Sequence, residues 1–226
     1  MLQWRMMLLW AVCLCVGCGA LYAQEDDEPE KVNSHLGFTM TAPLNPIARV
    51  VNGGLGLSVG GGYNFSARQS IVGDFMWNHF TATNAALAPI RAALQTANVS
   101  GGGNLLALTV NYRFELQRHG KGTYFIGGGG LYHRSASIDR PIPTGTNISC
   151  EPGWRLFGLN CTSDAVFTDR TVVSSSSNTF GVDGGIGFTA HVGEPSYRFY
   201  MEARYHYAPS PTINTQLVAV TIGIRY

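Results

Sequence analysis

The feature that most constrains this chain is a strict two-residue alternation of apolar and polar side chains. Leu106, Leu108 and Val110 share one face of a continuous stretch, whereas Thr109 and Arg113 lie on the other. Because successive side chains of a strand point to opposite faces, this pattern predicts a strand between an apolar and a polar environment. The same pattern returns several times and continues to the last residue.

The alternation predicts eight strands of similar length. Their ranges are 35–43, 54–65, 71–78, 105–115, 123–134, 179–192, 197–207 and 215–226. A tilted strand needs about 9–11 residues to cross the hydrocarbon layer of a bilayer, which most of these segments approach. The connections contain 10, 5, 26, 7, 44, 4 and 7 residues, so long and short mostly alternate. Short turns at one end and long loops at the other are typical of transmembrane β-barrels.

The scarcity of charge decides which face meets lipid. Only 13% of the residues are charged, and the lysines beyond residue 23 are Lys31 and Lys121. A soluble, lipocalin-like barrel would need many charged side chains outside, so the apolar face is predicted to face lipid. The soluble ligand-binding barrel and a solvated β-sandwich remain the alternatives.

The polar face of the strands carries four acids and four arginines. They are Asp74, Glu115, Asp183 and Glu202, and Arg113, Arg198, Arg204 and Arg225. An arginine facing lipid costs about 2–4 kcal/mol at the midplane, so these side chains are predicted to point into the lumen. An eight-stranded barrel is just wide enough for side chains to fill. The sequence therefore predicts a paired, salt-bridged interior without a wide pore.

The N-terminal region has the composition of an export signal. Arg5 precedes a short apolar run, and small residues follow up to Ala23, which predicts a signal peptide over residues 1–23. Cleavage after Ala20 and a lipoprotein cut before Cys18 are the alternatives. Residues 24–34 are acidic and predict a flexible tail, and residues 35–226 are predicted to form the barrel.

Cleavage after Ala23 would leave two of the five cysteines, Cys150 and Cys161. An exported protein with two cysteines is expected to join them in one disulfide, because its compartment is oxidising. We expect this bond at the tip of the third external loop, with neither cysteine in a strand.

The C-terminal sequence VAVTIGIRY, GGGY at 60–63 and YHY at 205–207 resemble the eight-stranded outer-membrane β-barrel family, the OmpA/OmpX-like group. The resemblance covers residues 35–226. It implies an all-β, closed, eight-stranded antiparallel up-and-down transmembrane β-barrel in the bacterial outer membrane. The end of the chain is similar to the signal read by the barrel-assembly machinery, carried here by Val218, Val220, Ile222, Ile224 and Tyr226. Members more often end in Phe, so Tyr226 departs from the pattern.

Two further structural features are predicted. Aromatic girdles are expected at both lipid–water interfaces. The girdle near the long-loop ends of the strands is Trp77, Phe80, Tyr132, Tyr205 and Tyr207. The girdle near the short-turn ends is Tyr63, Phe65, Tyr112, Phe114, Tyr124, Tyr197 and Tyr226. Residues 85–96 predict a short helix with Pro89 in its first turn and Ile90, Ala93 and Leu94 on its apolar face.

Catalysis is not expected from this sequence. A hydrolase triad could be composed of His206, Glu202 and Ser210, but the sequence contains no nucleophile-elbow motif that would support it. A lipid A-modifying enzyme is the alternative to a barrel without catalysis. The six histidines are scattered, so no metal site is predicted, and no other cofactor is predicted either. The net charge of +1 disfavours nucleic-acid binding.

We expect a monomer in outer-membrane lipid with a structural, adhesive or surface-interaction role, or a very narrow channel, and an external ligand at its long loops.

Overall fold

The computed structural model describes residues 31–96, 98–117, 122–152, 159–191, 197–210 and 213–226. The predicted signal peptide and residues 24–30 of the predicted tail lie outside the described residues. The first strand begins at Val32, so the last residues of the predicted tail belong to the barrel wall.

Eight antiparallel strands close into one barrel, in which each strand pairs with its neighbours in sequence and β1 also pairs with β8. The strands are β1 (Val32–Pro43), β2 (Val51–Ser66), β3 (Gln69–Ala82), β4 (Ser100–Glu115), β5 (Gly122–Pro152), β6 (Leu159–His191), β7 (Arg198–Ala208) and β8 (Thr215–Arg225). A 3-10 turn (Ile47–Arg49) precedes β2, and helix α1 (Asn84–Leu94) lies between β3 and β4. The predicted closed eight-stranded fold is confirmed.

The two ends of the barrel differ. We call one the turn end, because the β2–β3 connection there is only Ala67 and Arg68, and β1 begins and β8 ends beside it. At the opposite end, the hairpin end, lie α1 and the tip of the β5–β6 hairpin. This separation follows from an even number of strands connected in sequence.

The outer surface of the barrel wall is apolar, as the alternation predicts. Large exposed apolar side chains include Leu36, Phe38, Met40, Leu55, Leu57, Ile71, Leu108, Val110, Phe125, Leu131, Ile186, Phe188, Phe199, Met201 and Ile224. Closure matters in lipid because every backbone N–H and C=O then has a partner within the protein. Within the described ranges, no helix has both the length and the apolar character required to span a bilayer.

The prediction of a loop over residues 135–178 is corrected by the structure, because most of this segment forms a β-hairpin. Strand β5 pairs with β4 as far as Asp139 and then continues beside β6 alone. We call residues 140–152 and 159–170 the hairpin extension. The described side chains at 166–170 are exposed on both faces of their strand, so this region shows no apolar–polar alternation for sequence analysis to detect.

Helix α1 forms close to the predicted range, but the side chain that it buries differs from the predicted ones. The side chain of Thr83 caps the helix by accepting a bond from the Ala86 N–H at 3.2 Å. Pro89 lies in the helix interior rather than in its first turn. The buried side chain is Leu87, which the predicted apolar face omitted.

The predicted girdles need correction as well, since Phe80, Tyr124 and Tyr132 are buried. They belong to the inward set of their strands, as the exposed neighbours Phe125 and Leu131 on the other face show. Exposed aromatic side chains do occur near the turn end and near the hairpin end: Tyr63, Phe65, Tyr112 and Tyr197, and Trp77 and Tyr205. Aromatic residue type alone does not distinguish an interface from a lumen.

Candidate functional site

An acid-rich layer crosses the lumen around Arg204. Its Nη1 lies 2.7 Å from Oδ2 of Asp74 and 3.4 Å from Oδ2 of Asp183, and its Nε contacts Oε1 of Glu202. Nε2 of His35 lies 2.6 Å from the other carboxylate oxygen of Asp74. Because β1, β3, β6 and β7 supply these groups, the layer ties distant parts of the wall together.

A base-rich layer lies nearer the turn end. Oε1 of Glu115 lies 3.3 Å from Nε of Arg113 and 3.8 Å from Nη1 of Arg225. The guanidinium of Arg225 also lies 4.7 Å from the ring centroid of Tyr124, a cation–π contact. The hydroxyl of Tyr124 donates to Oε2 of Glu202 at 2.8 Å and thereby connects the two layers.

The sequence did not reveal this distribution of charge. Three carboxylates surround Arg204, whereas Glu115 is the carboxylate that contacts Arg113 and Arg225. Arg198 lies opposite Arg225 in the sheet and makes no ion pair with any residue the structure describes. Alternation fixes the face on which a side chain lies, but it does not fix its height in the barrel or its partner.

Neutral side chains also belong to this network, although the sequence analysis named only its charged members. The amide of Asn111 donates to Oδ2 of Asp74 at 2.7 Å. The buried ring of Tyr200 lies 5.3 Å from the Arg225 guanidinium. Each lies two residues from a charged side chain of the inward set, Arg113 or Glu202, so the alternation places both on the polar face but does not identify their partners.

Apolar side chains fill the lumen toward the hairpin end. The buried cluster comprises Met76, Phe80, Leu105, Ala107, Tyr132, Ala208, Leu217 and Ala219. The hydroxyl of Tyr132 lies 2.9 Å from Nδ1 of the buried His206. A void beside Arg204, lined also by Ser58 and Thr221, measures about 10 Å³. That volume is about the space of a single water molecule.

At the hairpin end, Arg134 fixes the base of the hairpin across the barrel mouth. Its Nη2 donates to Oγ of Ser210 and its Nη1 to Oγ1 of Thr215, both at 2.8 Å. A second bond from Nη1 reaches the carbonyl of Ile213 at 3.1 Å. The β5–β6 hairpin is thus joined to the β7–β8 side of the barrel.

Farther along the hairpin, two arginines face each other across the strands. Arg140 and Arg170 are directly paired in the β5–β6 register, so their side chains share one face. Neither makes an ion pair with a described residue. Like charges directly opposite in a sheet are destabilising, and the pair is therefore a candidate for binding an anionic ligand.

The two cysteines lie nearer the hairpin tip. The register places Cys150 of β5 directly opposite Cys161 of β6. This corrects the expectation that neither cysteine lies in a strand. Directly opposed residues of antiparallel strands have Cα atoms about 4.5–5.5 Å apart, within the span of a disulfide. The bond between them remains a prediction, because their side chains lie outside the described part of the structure.

The residues of the hypothetical catalytic triad have separate partners. His206 contacts Tyr132, Glu202 contacts Arg204, and Ser210 accepts from Arg134. Among the described residues, no three His, Cys, Asp or Glu side chains are grouped closely enough to hold a metal ion.

A closed ring of eight antiparallel strands with an apolar outer belt and a polar lumen defines a transmembrane β-barrel. The protein has the fold of the OmpA/OmpX-like outer-membrane β-barrels. Its structure is similar to that of Ail, the attachment invasion locus protein of Yersinia pestis, solved in complex with the heparin analogue sucrose octasulfate. That likeness has a TM-score of 0.50 at 14% sequence identity, and covers 87% of this chain and 100% of Ail.

Two other solved barrels are similar at lower TM-scores. Neisserial surface protein A has a TM-score of 0.45 at 14% identity, covering 87% of this chain and 96% of that one. OprG from Pseudomonas aeruginosa has a TM-score of 0.42 at 12% identity, covering 86% and 94%. No protein-family model and no curated protein sequence matches the chain.

Proposed function

We propose that this protein is an outer-membrane anchor that presents the hairpin extension to a polyanionic partner outside the cell. The observation that carries the proposal is the length of the hairpin. Strand β5 continues for thirteen residues beyond Asp139, its last residue paired with β4, to Pro152. At about 3.3 Å per residue, this places the tip about 40 Å beyond the last pairing with the wall.

The filled lumen favours a structural or adhesive role over transport. An ionic layer around Arg204 and an apolar cluster follow one another along the axis, with a void of about 10 Å³ between neighbouring side chains. A hydrated ion needs more space than one water molecule occupies. We therefore propose a salt-bridged barrel without a wide pore, whose rigidity supports the hairpin.

The proposed ligand class is a sulfated or phosphorylated glycan. Arg140 and Arg170 present two guanidinium groups on one hairpin face, and the planar fork of N–H donors of a guanidinium can bind two oxygens of one sulfate or phosphate group. Asp139 and Asp169 belong to the alternate residues and so lie on the other face. The sulfated ligand bound to Ail is of the same chemical class as the one proposed here.

The remaining parts of the proposal concern biogenesis and chemistry. Residues 1–23 direct export, and the C-terminal set ending in Tyr226 is recognised by the barrel-assembly machinery. The finished barrel is a monomer in outer-membrane lipid, with Cys150 bonded to Cys161. It has no catalytic function, because His206 and Ser210 are each engaged in structural hydrogen bonds.

Binding to immobilised heparin tests the proposal. The detergent-extracted barrel, shown to be folded by its mobility shift on boiling, is compared with an Arg140→Gln/Arg170→Gln variant. We expect about tenfold weaker binding, because two exposed ion pairs each contribute up to about 1 kcal/mol. The effect should shrink at high salt.

The matched control removes the same net charge elsewhere, with Arg49→Gln and Arg68→Gln, both exposed and outside the hairpin. It should bind heparin like the parent protein. Equal losses in the two double variants would mean that net charge rather than the hairpin pair attracts the glycan.

A further inference from the structure

The base-rich layer at the turn end contains more positive than negative side chains among the residues that the structure describes. Oε1 of Glu115 is shared by two arginines, at 3.3 Å from Nε of Arg113 and 3.8 Å from Nη1 of Arg225. Arg198 is directly paired with the buried Arg225, so its side chain lies on the same, inward face of the wall. Three arginines minus one glutamate leave these four side chains with a formal charge of +2.

Arg225 is held in a fixed orientation. Its guanidinium carbon lies 4.7 Å from the ring centroid of Tyr124 and 5.3 Å from that of Tyr200. Its Nη1 donates to Oγ1 of Thr189 at 3.3 Å. The Nε atoms of Arg225 and Arg198 are both buried, and neither donates to a group in the described structure. Two neighbouring guanidinium groups therefore retain N–H donors without an acceptor.

A third donor lies on the adjacent strand. Thr189 of β6 is directly paired with Tyr200 of β7 and is only 2% exposed. Because the Thr189 oxygen accepts from Arg225, its own O–H proton is available to another acceptor. Thr189, Arg198 and Arg225 thus supply N–H and O–H donors from three neighbouring strands. Such donors bind the oxygens of an oxyanion, and a guanidinium can do so through two parallel N–H bonds.

The position of Arg198 gives an anion access to this layer. Arg198 is the first residue of β7, lies at the turn end and is half-buried. Lys31 and Arg68 are exposed at the same end, and a surface of one charge attracts ions of the other. Farther along the lumen, Arg204 is surrounded by three carboxylates, which repel an anion. Within the lumen, the described charges therefore favour an anion at the turn end.

We propose that Arg198, Arg225 and Thr189 form a binding site for a phosphate group at the turn end of the lumen. A phosphate group carries about −1.5 to −2 charge near pH 7, close to the charge that neutralises the four side chains of the layer. Its oxygens accept from the Nε–H groups of both arginines and from the Thr189 hydroxyl. Like charges directly opposite in a sheet are destabilising, so the bound phosphate also stabilises the wall. The site is independent of the ligand proposed for the hairpin.

Calorimetric titration with inorganic phosphate tests the site. The detergent-extracted protein is kept in an uncharged detergent without phosphate, and its fold is checked by the boiling shift. Every variant carries Arg140→Gln and Arg170→Gln, so that phosphate binding to the hairpin does not contribute; this double variant is called the background variant. We expect saturable binding to the background variant. Adding Arg198→Gln should weaken it about tenfold or more, because a charge-assisted hydrogen bond is lost.

Two further variants separate the geometry of the site from net charge. Arg198→Lys keeps the charge but removes the planar fork of donors, so it should retain only part of the affinity. Arg49→Gln removes a positive charge from the exposed surface at the hairpin end and is the matched control. It should bind phosphate like the background variant.

Urea unfolding measures occupancy of the site in a second way. Phosphate should raise the unfolding midpoint of the background variant, since a ligand that binds only the folded state stabilises it. The rise should be smaller with Arg198→Gln, and smaller in sodium chloride of equal ionic strength.

Added phosphatidylglycerol identifies the source of the phosphate group. Competition with inorganic phosphate would assign the site to a lipid headgroup, whereas an unchanged titration would assign it to free phosphate. Absence of saturable binding in the background variant, or unchanged affinity with Arg198→Gln, would overturn the site. An equal loss with Arg198→Gln and with Arg49→Gln would overturn it as well, because net charge would then account for the binding.

Discussion

The barrel body and the hairpin extension use the same antiparallel pairing in different surroundings. In the body, each strand has two neighbours, with lipid on one face and the lumen on the other. In the extension, β5 and β6 pair only with each other, and the described side chains at 166–170 are exposed on both faces. Most buried charge in the body is therefore paired inside, as around Arg204, whereas Arg140 and Arg170 of the extension can lie opposite each other without an ion pair to a described residue.

The largest effect that separates the two regions is expected at Arg204. Arg204→Ala leaves Asp74, Asp183 and Glu202 without their common cation, and breaking such a buried network costs about 3–5 kcal/mol. Arg140→Ala in the extension should change the free energy of unfolding by less than about 0.5 kcal/mol. Urea unfolding in the same lipid or detergent measures both.

A double variant sharpens this result. Arg204→Ala combined with Glu202→Gln leaves one fewer unpaired charge than Arg204→Ala alone. The double variant should therefore be the more stable of the two, since a buried unpaired charge is worse than none. Identical unfolding midpoints for the single and double variants would contradict a paired lumen.

The second-largest change in the free energy of unfolding is expected at exposed apolar residues of the wall. Leu108 in the wall and Val166 in the extension are both exposed, at 58% and 45%. Leu108→Arg should cost about 2–4 kcal/mol, because the charge enters lipid. Val166→Arg should cost less than about 0.5 kcal/mol, because the same charge meets water. Similar costs in a bilayer would mean that the two surfaces face the same solvent.

The same contrast explains what the sequence could predict. Leu108 and Arg113 reveal the two faces of β4 because lipid and lumen demand opposite chemistry from alternate residues. Ser174 and Ser175 sit on alternate positions of β6 without any difference in polarity, so the hairpin there could not be distinguished from a loop. Strand pairing by backbone hydrogen bonds produces no side-chain pattern in such a sequence.

Within the lumen, residue identity was predictable and arrangement was not. Asp183 and Arg113 could be assigned to the inward face from alternation alone. Their heights follow from the tilt and stagger of all eight strands, which no single segment contains. Tyr124 shows a further limit, because its ring fits beside Gly187 on the neighbouring strand, a close approach that only the closed barrel reveals.

The third effect is on assembly rather than on the finished fold. Tyr226→Asp changes the last residue of the alternating C-terminal set. The ring centroid of Tyr226 lies 5.6 Å from that of Tyr197. We expect less protein in the outer membrane, whereas Tyr226→Phe should assemble at least as well as the parent. Immunoblotting of membrane fractions measures the amount, and a boiling shift shows whether the inserted fraction is folded. Unchanged levels for Tyr226→Asp would remove the terminal residue from the assembly signal.

The smallest effect on the barrel is expected from removing the cysteines of the extension. Cys150→Ser with Cys161→Ser removes a cross-link between directly opposed residues near the hairpin tip. In the chain-entropy treatment, closing a loop of this size restricts the open chain by about 3 kcal/mol, and that constraint acts locally on the hairpin. The wall should unfold at the same urea concentration, because Arg134 still fixes the hairpin base to Ser210 and Thr215. Protease should cleave residues 137–177 faster in the variant, while the boiling shift persists. Free thiols in the unreduced parent protein would show that the bond is absent, and loss of the whole barrel would show that the extension is not separable from the body.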